Sequence, residues 1–266
     1  KNTSVNSLSF SLAYPLLINS LSGINIYVSP MDLPAFSDVD YDGDIDILTF
    51  EISGGFVNYF KNTSIENYGN CDSLEYVIED GCWGQFYEGL NTYILNCTNC
   101  LCPPIISSQT SKRGKHAGST LLSIDVDGDN DKDLILGDVS YNNLNLLING
   151  GDNQNAHIIS VDTVFPQNII NTIPADIHIF PSSFYLDLTN DGTKDLIIST
   201  NMQNNSENKE SCWLYENSGT NSAPNFNFIQ KDFIQNESLD FGEGSYPTFY
   251  DYNGDSLIDL FVGNYG

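Results

Sequence analysis

Short apolar runs alternate along the chain with stretches of Asp, Asn and Gly, and the alternation keeps time. Leu33-Pro-Ala-Phe, Ser119-Thr-Leu-Leu-Ser-Ile, Ser183-Phe-Tyr-Leu and Thr248-Phe-Tyr each lead into an acidic run, and Ile45-Asp-Ile-Leu-Thr-Phe, Leu134-Ile-Leu, Leu196-Ile-Ile and Leu260-Phe-Val follow it. These segments are too short for helices and rich in β-branched and aromatic residues, so each unit reads as strand, acidic loop, strand. A third run ends on Asn62, Asn149 and Asn217, with the polar stretch 201–210 delaying the last. A fourth precedes the next loop, beginning at Leu8 and at His157. Four strands per unit, recurring from 38 to 125, 187 and 251, predict an all-β chain of β-propeller blades with a period of about sixty residues.

The acidic loops are nine-residue runs. Their first, fifth and ninth positions are Asp38, Asp42 and Asp46; Asp125, Asp129 and Asp133; Asp187, Asp191 and Asp195; and Asp251, Asp255 and Asp259. The third is Asp40, Asp127, Thr189 or Asn253, each with a side-chain oxygen. In the first run, five carboxylates crowd together without a Lys or Arg among them, and an oxygen-ligated cation relieves that repulsion. Calcium suits it best, since it takes six to eight oxygens in flexible geometry whereas magnesium demands a tight octahedron. A helical EF-hand is excluded, because the position that should carry a bidentate Glu is Thr49, Leu136, Ile198 or Val262 inside an apolar run. The nonapeptide β-roll repeats far too often to fit.

With these loops and their flanking strands, the chain resembles the FG-GAP/VCBS repeat family, the calcium-binding propeller repeats of integrin α-subunit heads and many secreted bacterial proteins. The resemblance lies in 38–48, 125–137, 187–198 and 251–263, including Gly137 and Gly263. It implies ligation through side chains at positions one, three, five and nine and through the backbone carbonyl of position seven, here Asp44, Asp131, Thr193 and Leu257. Asn130 and Ser256 replace the glycine the family has at position six; Asn tolerates a left-handed backbone better than Ser. The Asn-, Tyr- and Phe-rich texture is similar to large secreted proteins of Bacteroidetes.

Composition narrows the partners. The formal charge is −26, from 9 basic and 35 acidic residues among 266, which argues against nucleic acid or an anionic membrane surface as partner. No apolar run is long enough to span a membrane. Six cysteines, five of them between Cys71 and Cys102, suit an oxidising, extracellular or cell-surface setting where calcium is plentiful. The chain begins at Lys1 and ends just past the fourth loop, so it is expected to be part of a longer protein, forming a partial ring with exposed edges.

The first unit is longer than the others, with a Cys-rich insertion at about 64–110 in the single propeller segment 1–266. Cys97-x-x-Cys100-x-Cys102 lacks the partners a zinc site needs, so a disulfide-stapled excursion is expected, with one cysteine of the five left free or paired with Cys212. Its Trp83, Phe86, Tyr87 and Tyr93 offer either a stacking platform for a ligand or the insertion's own core. The basic cluster 112–116 reads as a solvated linker, with contact to an acidic ligand as the alternative. His116, His157 and His178 read as structural or solvated, and no nucleophile elbow or phosphate loop is present. The expectation is a calcium-stabilised binding, adhesion or scaffold module for a glycan or protein ligand, with no catalytic residue. A calcium-dependent polysaccharide lyase on the same scaffold is the alternative.

Overall fold

The computed structural model describes residues 10–12, 14–102, 118–167, 171–207, 209–239, 241–242 and 244–265. The basic cluster 112–116 with His116, and Leu8, lie outside these residues; in 10–12 no continuous strand forms. The chain is all-β, as expected. The first sheet has six strands: a small hairpin of β1 (Ile18–Asn19) and β2 (Ile24–Asn25), then β3 (Ala35–Ser37), β4 (Asp46–Phe50), β5 (Val57–Asn62) and β6 (Tyr76–Asp80), in the order β2-β1-β6-β5-β4-β3. A hairpin of β7 (Tyr87–Gly89) and β8 (Thr92–Ile94) follows.

Two four-stranded antiparallel meanders come next. One is β9 (Ser119–Ile124), β10 (Asp133–Asp138), β11 (Leu144–Asn149) and β12 (Ile158–Phe165). The other is β13 (Pro181–Leu186), β14 (Asp195–Thr200), β15 (Cys212–Asn217) and β16 (Phe226–Gln230). A final hairpin joins β17 (Tyr246–Tyr250) to β18 (Asp259–Gly263).

The three larger sheets fan out with β3, β9 and β13 adjacent. Leu33, just ahead of β3, exchanges backbone hydrogen bonds with Ser119 and Leu121 of β9 (3.0 and 2.8 Å), and the Thr120 hydroxyl donates to the Pro181 carbonyl of β13 at 2.7 Å. Side-chain alternation then feeds two cores from one strand. Leu134 and Leu136 of β10 pack with Leu48, Val57 and Leu121, whereas Ile135 between them packs with Leu196, Trp213 and Tyr215. A strand buried on both faces loses polar alternation, which is why Leu134-Ile-Leu reads as a continuous apolar run.

The first unit departs from expectation inside its insertion. Its fourth strand, β6, lies there, pairing with β5 after the short helix α1 (Ser64–Tyr68). Only the residues beyond Asp80 leave the meander. They carry disulfides Cys82–Cys100 and Cys97–Cys102, leaving Cys71 and Cys212 as unpaired thiols, so no sulfur of the Cys97/Cys100/Cys102 group is available to zinc. The stacking-platform expectation fails. Trp83 and Phe86 are buried in the core shared by the first two sheets, Tyr93 packs against that core, and the Tyr87 ring meets Phe56 edge-on at 5.2 Å. Trp83 and Phe86 share their core with Leu48, Val57 and Leu147 of the sheets, whereas Tyr87 packs with Cys82, Ile94, Cys97 and Cys102 in a small core of the insertion closed by Phe56.

Candidate metal centre

Each acidic loop is built by strand register. The residue before position one pairs with position nine in all four copies: Ser37 with Asp46, Ile124 with Asp133, Leu186 with Asp195 and Tyr250 with Asp259. Positions one to eight therefore form a closed turn. It needs left-handed backbone twice, at position four (Tyr41, Gly128, Asn190, Gly254) and at position six (Gly43, Asn130, Gly192, Ser256), so Asn130 and Ser256 adopt the glycine conformation with φ of 69° and 71°.

Three hydrogen bonds recur in every copy. The position-one carboxylate accepts the N–H of position six (Gly43, Asn130, Gly192 and Ser256, 2.9–3.2 Å). The position-five carboxylate accepts the N–H of position seven (2.7–3.1 Å). The position-nine carboxylate accepts the N–H of position two, at 2.9 Å from Val39 and Val126, 3.3 Å from Leu188 and 2.8 Å from Tyr252. These bonds turn carboxylate oxygens inward against their mutual repulsion.

Position nine has a second duty. The other oxygens of Asp46, Asp133 and Asp195 accept the backbone N–H of Asn62, Asn149 and Asn217 at 2.8, 2.8 and 3.0 Å. Each of these asparagines, buried at the end of its third strand, pins the turn into the fourth: Asn149 Oδ1 accepts from Gly151 and His157, and Asn217 Oδ1 from Gly219 and Asn225. The loops and outer turns form one hydrogen-bonded unit. Asn at the end of the third run was visible in the sequence; its role was not.

The first two loops are set apart by burial. Carboxylate oxygens of Asp38, Asp40 and Asp42 lie within 4.8 Å of one another, as do those of Asp125, Asp127 and Asp133, and both groups could hold a metal ion. Asp129 and Asp131 stand outside the second group, and among the described residues the third and fourth loops form no such three-carboxylate group. Asp38 Oδ1, Asp44 Oδ1 and both oxygens of Asp131 are buried without a hydrogen-bond partner. Unpaired anionic oxygens in a dry site are costly unless a cation meets them, so the donor set fits a hard divalent ion.

Burial, with lesser help from neighbouring acids, raises the pKa of Asp38 and Asp44 and pushes Asp46, Asp131 and Asp133 up to about 7. In the open third and fourth loops, backbone N–H donors instead lower Asp191 and Asp255.

One neutralising charge comes from outside the loop sequence. Lys61 of β5 bonds Asp40 and Glu66 and lies 3.4 Å from Asp42, so the first loop does have a local ammonium, supplied by a strand rather than the run itself. Loops also meet across sheets: the Tyr41 hydroxyl donates to the Asp131 carbonyl at 3.4 Å, Lys132 Nζ sits 4.0 Å above the Tyr41 ring, and Asn153 Nδ2 donates to the Asp40 carbonyl at 2.9 Å. Beside them opens a cleft of about 460 Å³ lined by Asp38, Tyr41, Asp125, Lys132, Tyr185 and Lys194. Of the histidines described, His157 Nε2 lies 3.0 Å from Asn96 Oδ1 and His178 is exposed.

No protein-family model and no curated protein matches the chain. Among solved structures, it is similar to a lectin of Agrocybe aegerita described as recognising non-reducing terminal N-acetylglucosamine, at 18% identity and a TM-score of 0.36. The match covers 86% of this chain and 46% of the lectin, so the chain spans less than half the length of that neighbour.

Proposed function

We propose that the chain is a segment of a calcium-stabilised β-propeller of the FG-GAP/VCBS type, serving as a binding or adhesion module of a secreted or cell-surface protein. The observation that carries this is the fourfold recurrence of one loop geometry, with the same three internal hydrogen bonds at positions one, five and nine. Successive meanders with adjacent first strands are what propeller blades look like, and the final hairpin of β17 and β18 has the register of a blade's inner half.

Calcium in these loops is structural. An ion held by the loop carboxylates would lie in a turn between consecutive strands, a turn that the position-nine carboxylate ties to the next one in the first three loops, and the proposal gives it no catalytic step. Two disulfides agree with an oxidising, extracellular setting, and no helix is long and apolar enough to cross a membrane.

Ligand binding is assigned to the cleft beside the first two loops, not to the buried aromatics of the insertion. Lys132 and Lys194, stacked 4.0 and 5.6 Å over the rings of Tyr41 and Tyr185, offer positive charge there in a chain that is otherwise strongly acidic. With calcium neutralising Asp38 and Asp125, the two ammonium groups of that lining are left to meet a glycan bearing acidic groups. A glycan array probed in millimolar calcium, with Lys132→Ala/Lys194→Ala as control, tests this: wild-type binding to acidic glycans should be lost in the double variant, and equal binding by both proteins would remove the cleft assignment.

A further inference from the structure

The first loop has a neighbour that the others lack. Helix α1 (Ser64–Tyr68), inserted between β5 and β6, brings Glu66 beside the loop, and the carboxylate oxygens of Asp42, Asp44 and Glu66 lie within 4.8 Å of one another. The corresponding turns after β11 and β15 contain no helix. We propose that this loop holds two calcium ions side by side, one at Asp38, Asp40 and Asp42 and a second at Asp42, Asp44 and Glu66, with Asp42 shared. The proposal rests on the calcium reading of the loops.

The burial of Asp44 adds to the clustering. Asp44 is 1% exposed; its Oδ2 accepts the Ile65 N–H at 3.1 Å, and its Oδ1 is buried with no hydrogen-bond partner. A carboxylate oxygen withdrawn from water and left unpaired calls for a cation. The group that would hold the first ion, Asp38, Asp40 and Asp42, does not include Asp44, so that side chain falls to the second.

Charge balance points the same way. Asp38, Asp40, Asp42, Asp44, Asp46 and Glu66 face a single ammonium, Lys61, which bonds Asp40 and the Oε1 atom of Glu66 and lies 3.4 Å from Asp42. One calcium leaves three negative charges uncompensated in a partly buried site; a second leaves one. The second loop supplies the contrast: Asp131 is about as buried at position seven, but Asn153 stands in the place of Glu66, and among the described residues the acidic group there is Asp125, Asp127 and Asp133 without Asp131.

Native mass spectrometry of the intact chain at a fixed free calcium concentration counts the ions. Asp38→Asn and Glu66→Gln should each lose one relative to wild type, and the double variant should lose two. Glu66 is partly exposed, so its change to Gln should leave the circular dichroism spectrum intact, and Asp44→Asn provides an independent variant expected to lose the same ion. A Glu66→Gln protein that keeps the full count, or a double variant that loses only one ion, overturns the second site while leaving the loops as calcium binders. A wild type that binds no calcium removes the calcium reading itself.

Discussion

Replacing Asn149 by Ala should unfasten the turn between β11 and β12. The side chain is 2% exposed and makes three hydrogen bonds: Oδ1 accepts from Gly151 at 3.0 Å and His157 at 2.7 Å, and Nδ2 donates to the Lys132 carbonyl at 3.3 Å. Alanine removes all three partners, and at about 1 kcal/mol for each bond the loss is about 3 kcal/mol. Water entering the opened turn would reduce it; backbone groups left dry would increase it. The backbone N–H of Asn149 keeps its bond to Asp133, so the loop itself should survive. Urea denaturation followed by circular dichroism reads the loss as a lower midpoint at unchanged slope. Amide exchange locates it: Gly151 and His157 should lose protection while Val126, held by Asp133, keeps it. A midpoint shift worth less than about 0.5 kcal/mol, the range of an ordinary surface substitution, would refute the clamp.

Gly137→Ala should be among the most damaging single changes, because a Cβ there would lie 1.9 Å from the Pro181 carbonyl oxygen where β10 meets β13; a melting temperature close to wild type would contradict that packing. Lys61→Met should destabilise the calcium-free protein and tighten calcium at the first loop, since the ammonium and the ion share Asp40 and Asp42; calorimetric titration showing weaker binding would reverse this assignment. Without calcium, stability should fall as pH rises from about 4 to about 7. Burial raises the folded pKa of Asp46 and Asp133 from 3.8 to about 7, so the native state holds protons that the unfolded chain has already released. A melting temperature in EGTA that climbs across this window would show the sign to be wrong.

The repeat and its loops were legible because their cause is local. Left-handed turns, paired carboxylates and flanking apolar runs recur within a dozen residues, and the strands β9, β10, β11 and β12 fall where the pattern puts them. The fourth strand of the first unit was hidden because Tyr76-Val-Ile-Glu-Asp80 follows a helix and exposes part of its length, so neither spacing nor polarity marks it. The burial of Trp83 and Phe86 in the sheet core is a tertiary fact: a stapled loop can fold outward as a platform or inward as a plug, and composition favours neither. Lys61 and Glu66 are likewise charged residues of ordinary appearance until β5 and α1 carry them to the loop.

The central claim is that calcium holds these loops, and the melting temperature measured from EGTA through 10 mM free calcium tests it most directly. Ligand that binds only the folded state stabilises it by about 4 kcal/mol at a thousandfold excess over its dissociation constant, so the melting temperature should climb steadily with calcium and return when EGTA is restored. A melting temperature that stays the same across the whole range would contradict the account.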